Sequence, residues 1–296
     1  MNIKIHLFMA TTVVAATVLS ACSGGSDGGD NERTETVAGD VSFKISVGGF
    51  QNGDGSIWTF QQGSQIGIYA VAPSGNINLQ EQGNYADNVR FFWDGANFKP
   101  ANKAITKNHD QELAYYAVCP YTATAGRQMN YTVETDQTTS NALAKSDFCT
   151  AYTGLTSAMN VPLVFQHRMS RVRVSVTGEH LMGNVTKVIL KDVWLTLSVN
   201  LNTDNYASTN DRQGTIIMQQ SANDKNTFYA IIPPQTLPAS RTFLVATVNG
   251  QDMNVDFTTD EILTSGYERT LTVYRKSDAT PTLTALNGQI TPWSEE

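Results

Sequence analysis

The sequence predicts an all-β protein, two β-sandwich domains in tandem behind a secretory leader and a flexible tether. Three observations predict it. Apolar residues recur at every second position in many short runs, beginning with Val41, Phe43, Ile45 and Val47, which is the period of a strand with one buried face. Turn-forming groups such as Gln51-Asn52-Gly53-Asp54-Gly55 and Asp94-Gly95-Ala96-Asn97 separate those runs. No segment sustains a helical period, and a chain of many short strands without helices packs as sandwiches.

Residues 1–21 read as a signal peptide: Lys4 supplies positive charge, and Leu7 to Leu19 is an apolar run interrupted only by threonines. A bilayer takes ~20 apolar residues, so the run is a targeting signal and not a membrane span. Leu19-Ser20-Ala21-Cys22 resembles the lipobox of bacterial lipoproteins, in which cleavage precedes an acylated cysteine, so Cys22 is the expected lipid attachment site. Ordinary secretion with cleavage after Ala21, leaving Cys22 as a thiol, is the alternative. Residues 22–40 form the lipidated cysteine and its tether, rich in Gly, Ser and acidic residues with little to bury. As a coil this stretch spans about 25 Å. Ser23 after the cysteine is the pattern of outer-membrane sorting, and Asp27, Asp30 and Glu32 serve equally as a surface-export signal or as a solvated linker.

The first domain is expected over residues 41–158. Its strands fall at Val41 to Val47, Ser56 to Phe60, Gln65 to Val71, Val89 to Trp93, Leu113 to Cys119 and Gln128 to Val133. Ala142 to Tyr152 suits one short helix or an irregular connection. The second domain, residues 159–296, opens on the run Val161 to Val176, where Val172, Val174 and Val176 share one face and Arg171, Arg173 and Ser175 the other. That alternation predicts one wet face. Leu195 to Leu201 repeats it, and further strands are expected at Thr215 to Met218, Thr227 to Ile232, Thr242 to Val248, Met253 to Phe257 and Arg269 to Tyr274. Pro233-Pro234 stops one of these, since proline cannot donate to a ladder. Thr259 to Gly266 suits a helical turn closed by glycine. From Ala279 to Glu296, Pro281 and Pro292 limit a last strand to about ten residues. It can complete its own sandwich, the preferred reading, or extend to another molecule.

After loss of Lys4 with the leader the chain holds 19 basic and 27 acidic residues, net −8. With its cations scattered it is a poor ligand for nucleic acid or for an anionic surface. Cys119 and Cys149 remain in a compartment that permits a disulfide, and spacing leaves open whether they are bridged. His109, His167 and His180 stand at no metal-ligand spacing with one another or with cysteine, and motifs for nucleophilic, phosphate-binding or zinc-dependent catalysis are lacking. No catalytic residue, metal or cofactor is therefore expected. His167 beside Arg168 is the most suggestive pair, and reads best as a strand-edge histidine hydrogen-bonded between domains. Asp252 with Asp256, or Asp260 with Glu261, would need a cleft to act as a glycosidase pair. The loop 51–55 offers one acidic side chain for calcium. Trp58, Trp93, Trp194 and Trp293 could stack on sugars if exposed, though aromatics on strands usually pack inward.

Taken in order, the lipobox, the run Leu163-x-Phe165-x-His167-x-Met169-Ser170-x-Val172-x-Val174-x-Val176, then Phe228 to Thr236, Leu263-x-x-Gly266-Tyr267 and Ile290-Thr291-Pro292-Trp293 resemble the fimbrillin family. These are subunits of type V pili and related surface lipoproteins of Gram-negative anaerobes. The resemblance implies two transthyretin-like Greek-key sandwiches, a membrane attachment through the N-terminal lipid, and other fimbrial subunits as partners through strand exchange. In such pilins an arginine-specific protease removes the first strand, and the groove so opened takes a C-terminal strand from the next subunit. Here Arg33 is the candidate processing site and the only arginine before Arg90, and it precedes the first expected strand. Cleavage there would leave that strand in place. This departure favours an anchor, tip or other minor subunit, or a stand-alone relative, at the outer membrane or in the fimbrium. A glycan-binding lipoprotein of a polysaccharide-uptake system is the alternative. The receptor or glycan is not legible in the sequence.

Overall fold

The computed structural model describes residues 37–47, 60, 62–74, 77–178, 185–275 and 283–292. Among them the chain forms twenty-one strands and one short helix. The first half contains β1 (Ala38–Asp40), β2 (Ser42–Val47), β3 (Gln65–Val71), β4 (Ala86–Trp93), β5 (Phe98–Pro100), β6 (Thr106–Asn108), β7 (Leu113–Cys119), β8 (Gln128–Thr132), the helix α1 (Ser140–Ser146), β9 (Cys149–Thr156) and β10 (Asn160–His167). The second contains β11 (Ser170–Thr177), β12 (Val185–Asn200), β13 (Asn205–Ile217), β14 (Gln219–Gln220), β15 (Thr227–Ile232), β16 (Thr236–Leu237), β17 (Leu244–Val248), β18 (Gln251–Asp256), β19 (Glu261–Ile262), β20 (Tyr267–Arg275) and β21 (Leu283–Pro292).

Two large sheets dominate. One runs in the order β2-β10-β9-β7-β3-β4-β5 and curls until its edge strands β2 and β5 approach each other. Its enclosed core is aromatic and branched, with Phe43, Ile66, Ile68, Phe91, Tyr115, Leu163 and Phe165 buried. The other runs β13-β12-β17-β18-β21-β20-β11-β15-β14, with β8 added beside β12. Period two makes the wall between the cores. On β3, Ile66, Ile68 and Ala70 face the first core while Tyr69 and Val71 face the second. On β7, Tyr115 and Ala117 face the first while Tyr116 and Val118 face the second. From Ile66 on in β3 and throughout β7 the residues are therefore apolar, as strands covered on two sides must be.

Strand pairing crosses the expected boundary at residues 158 and 159 in both directions. β10, which opens the expected second domain, pairs with β2 and β9, because Val161, Leu163 and Phe165 all face the first core. β8, expected in the first domain, lies against β12, where Met129 and Tyr131 pack on the second core. The end of the expected tether is also ordered: β1 pairs antiparallel with β6. Beneath it Lys107 is buried, its ammonium donating to the carbonyls of Asn108, Gln111 and Ser157 at 3.3, 2.9 and 2.7 Å.

Other expectations change for identifiable reasons. The connection expected over Ala142 to Tyr152 is α1 followed directly by β9, whose first residues pair with β7 and β10. Instead of a helical turn, Thr259 to Gly266 contains β19, held by β16 and by the ion pair of Glu261 with Arg269. Gly266 turns the chain at φ +74 as expected of a glycine there. The face of β11 expected to be wet is covered at Arg171 and half-buried at Arg173 and Ser175: Arg171 is 7% exposed, paired with Glu268 on β20 and set over the Tyr229 ring. A charge can leave water only with such a partner. The strand expected at Ser56 to Phe60 lies outside the described residues except for Phe60, whose ring meets Phe98 edge-on at 4.7 Å.

Three side-chain amides each act as a one-residue strand. Gln137 accepts from the Ile231 N–H and donates to the Ile231 carbonyl, both at 2.8 Å. Gln235 does the same for Trp194 at 2.9 and 3.0 Å, and Asn202 for Leu79 at 2.8 and 2.9 Å. Gln137 is fully buried, so a leucine there would leave a buried N–H and C=O without partners, at about 1–3 kcal/mol each. Gln137→Leu is expected to lower the unfolding free energy by about 3 kcal/mol in urea denaturation; an unchanged midpoint would show that the clip is dispensable.

Candidate functional site

Cys22 and Arg33 lie outside the described residues. The strand that follows them does not. β2 is the edge of its sheet and runs parallel to β10, with Phe43 opposite Val161 and Ile45 opposite Leu163. Phe43 sits edge-on to Phe91 at 5.2 Å and to Tyr115 at 5.4 Å, and Val41 just before it is buried. Ser42, Lys44 and Ser46 point outward. β2 thus lies along the line where the curled sheet would otherwise stay open, and its side chains complete the first core. Fully burying one such ring stabilises the fold by about 1.5–3 kcal/mol.

The C-terminal strand β21 belongs to its own sheet, the preferred expectation. It pairs antiparallel with β20 from Tyr267 to Arg275, and its first two residues pair parallel with β18. From Ala285 to Pro292 the described ladder joins β20 alone.

The two cysteines come together with a histidine. In register, Cys119 on β7 stands opposite Cys149 on β9, and Cys149 opposite His167 on β10. All three side chains therefore share one face of the sheet. No disulfide joins the two cysteines in the structure. Asp147 reaches the same spot from the end of α1. That end is set by two bonds, the Ser146 hydroxyl donating to the Ala142 carbonyl and the Asp147 N–H donating to the Ala144 carbonyl, while the Thr139 hydroxyl caps the first turn at the other end of the helix. His167 Nδ1 lies 2.8 Å from Asp147 Oδ1 and 3.3 Å from Cys149 Sγ, and Sγ is 3.5 Å from Oδ1. The group is buried on every side chain. Burial pushes the Cys119 thiol well above its usual range, and the nearby Asp147 carboxylate adds to the effect. The sequence missed this constellation because its members lie on separate elements; the pairing of two strands, not any spacing, unites them.

The neighbouring Arg168 donates to Thr150 and to Asp204, each at 2.7 Å, and lies over the Tyr206 ring at 4.2 Å. Asp252 and Asp256 are both exposed on β18, Asp260 caps the Ala239 N–H, and Glu261 is held by Arg269, so these carboxylates form no facing pair in a cleft. Trp93 is half-buried against Phe98 at 5.2 Å and Trp194 is half-buried, while the loop 51–55, Trp58, Trp293 and His180 lie outside the described residues.

A family model described as fimbrillin-like matches residues 52–293. No curated protein matches the sequence. A crystal structure of a candidate cell adhesion protein from Bacteroides ovatus superposes with a TM-score of 0.71 at 18% identity, covering 88% of this chain and 99% of that one. One from Bacteroides uniformis, described in the same words, gives 0.63 at 16% identity over 86% of this chain and 98% of that one. A fimbrial protein from Bacteroides ovatus gives 0.51 at 19% identity over 85% of this chain and 51% of that one. At such identities the likeness is one of fold.

Because the Phe43 ring closes the first core, Phe43→Ala is expected to cost about 3–4 kcal/mol of stability, read by chemical denaturation. A loss under 1 kcal/mol would mean that β2 is only loosely seated.

Proposed function

Since this chain belongs to the fimbrillin-like family, we propose that it is a surface lipoprotein of that type, an anchor, tip or other minor fimbrial subunit or a stand-alone adhesin. It is carried to the outer leaflet by an acyl group on Cys22. The observation that carries this reading is the position of β2 relative to Arg33. Arg33 is the only arginine ahead of Arg90, and β1 and β2 begin after it. A cut at Arg33 frees the protein from its lipid without opening the line between β10 and β5. A stalk subunit has to give up its first strand to accept another; this chain keeps its own. Partners then bind through strand edges that remain available, where main-chain hydrogen bonds supply strength and alternate side chains supply specificity.

Two outcomes are expected. Arginine-specific digestion of the secreted chain yields a product beginning at Thr34 that runs as a monomer in SDS without heating; ladders that resist SDS would assign it to the stalk instead. The uncut protein partitions into the detergent phase of a cloud-point separation, and Cys22→Ser moves it to the aqueous phase. Aqueous partitioning of both would remove the lipid anchor from the account.

A further inference from the structure

We infer that Asp147, Cys149 and His167 form a binding site for a thiophilic divalent cation, zinc being the best fit. The first support is geometric. The three donor atoms make a triangle with edges of 2.8, 3.3 and 3.5 Å. Three corners of a tetrahedral zinc centre, with bonds of about 2.0–2.3 Å, are separated by about 3.3–3.7 Å. Two edges already match, and the nitrogen-oxygen edge needs to open by about half an ångström, a small side-chain rotation.

The second support is chemical. One nitrogen, one sulfur and one carboxylate oxygen form a donor set suited to zinc and cobalt, whereas calcium and magnesium require oxygen throughout. The same geometry argues against a nucleophile triad. There, the imidazole accepts from the nucleophile on one ring nitrogen and donates to the carboxylate from the other. Here Cys149 and Asp147 both meet Nδ1.

The third support is placement. Cys149 and His167 are fixed by the register of two paired strands, and Asp147 by the capped end of α1. A cavity of about 740 Å³ is lined by Asp147 and Cys149 and also by the exposed Gln62, Ser140 and Asn223, so an ion has a path to two of the three ligands. Cys119 lines the same cavity across the ladder from Cys149 but is not part of the converging triangle. The fourth coordination position falls to water. A bound ion would tie α1, β9 and β10 together where the chain leaves the first core for the second, since Met169, two residues past His167, belongs to the second.

The test uses the secreted chain, residues 22–296, reduced, stripped with a chelator and then freed of it. Zinc is expected to bind in one equivalent and to raise the melting temperature by about 5 °C at a hundredfold excess over its dissociation constant. Cobalt should give thiolate charge-transfer absorption with the visible bands of a tetrahedral ion. Cys119→Ser, which cannot form a disulfide with Cys149, is expected to bind as tightly as the natural sequence. Cys149→Ser and His167→Gln should each weaken binding at least tenfold, with circular dichroism reporting whether the fold is kept and Asp147→Asn read in place of a variant that unfolds. Absence of saturable uptake by both the natural chain and Cys119→Ser would overturn the site. So would unchanged affinity in the ligand variants, or a protein that stays locked as a Cys119–Cys149 disulfide while Cys119→Ser takes up no metal.

Discussion

The structure depends on two strands, β3 and β7, being covered on both faces. Their odd and even side chains fill different cores, so neither core can be assembled without the other side of the same strands. A single sheet wall shared in this way forbids charge anywhere along it, and every residue of β7 from Leu113 to Cys119 is buried. It also couples the two halves. A change on one face of β7 shifts a strand whose other face packs elsewhere, and interiors at crystal-like density transmit such shifts instead of absorbing them.

Much of this was legible in the sequence. Strands with one apolar face announce themselves by alternation, as β2, β11, β18 and β20 do, and β3, β7, β15 and β17 fall where short apolar runs between turns place them. What alternation cannot show is which sheet a strand joins. β8 is correct as a strand, and the single run read over Val161 to Val176 divides into β10 and β11; their partners follow from which core their inward residues fill. β13 illustrates the opposite limit: residues 205–213 are almost wholly polar, and their strand exists because β12 offers a long ladder beside them. Tertiary pairing there overrides a weak local preference. The polar face of β11 reads as wet along its length until Glu268 and Tyr229, far along the chain, are seen to cover Arg171.

The buried polar groups share a logic. Gln137, Gln235 and Asn202 each satisfy both main-chain groups of one residue where a ladder lapses, and Lys107 satisfies three carbonyls. Asp147, Cys149 and His167 differ, because their side-chain ligand atoms converge on one another. The clips resemble hardware of the fold; the triangle resembles a receptacle. Its site residues were invisible to spacing arguments for the same reason that β8 and β10 were misallocated, since only strand order brings them together.

β8 has a mechanical meaning under any load applied across the two halves of the fold. It leaves β7 and crosses to lie on β12, with five residue pairs from Gln128 to Thr132 matched to Thr196 to Asn200. Prising the halves apart is therefore not a matter of parting two smooth surfaces. A whole ladder must be torn away at the same moment, so tension in the direction that would open the junction meets a stitched seam, and the molecule should yield as one piece or not at all.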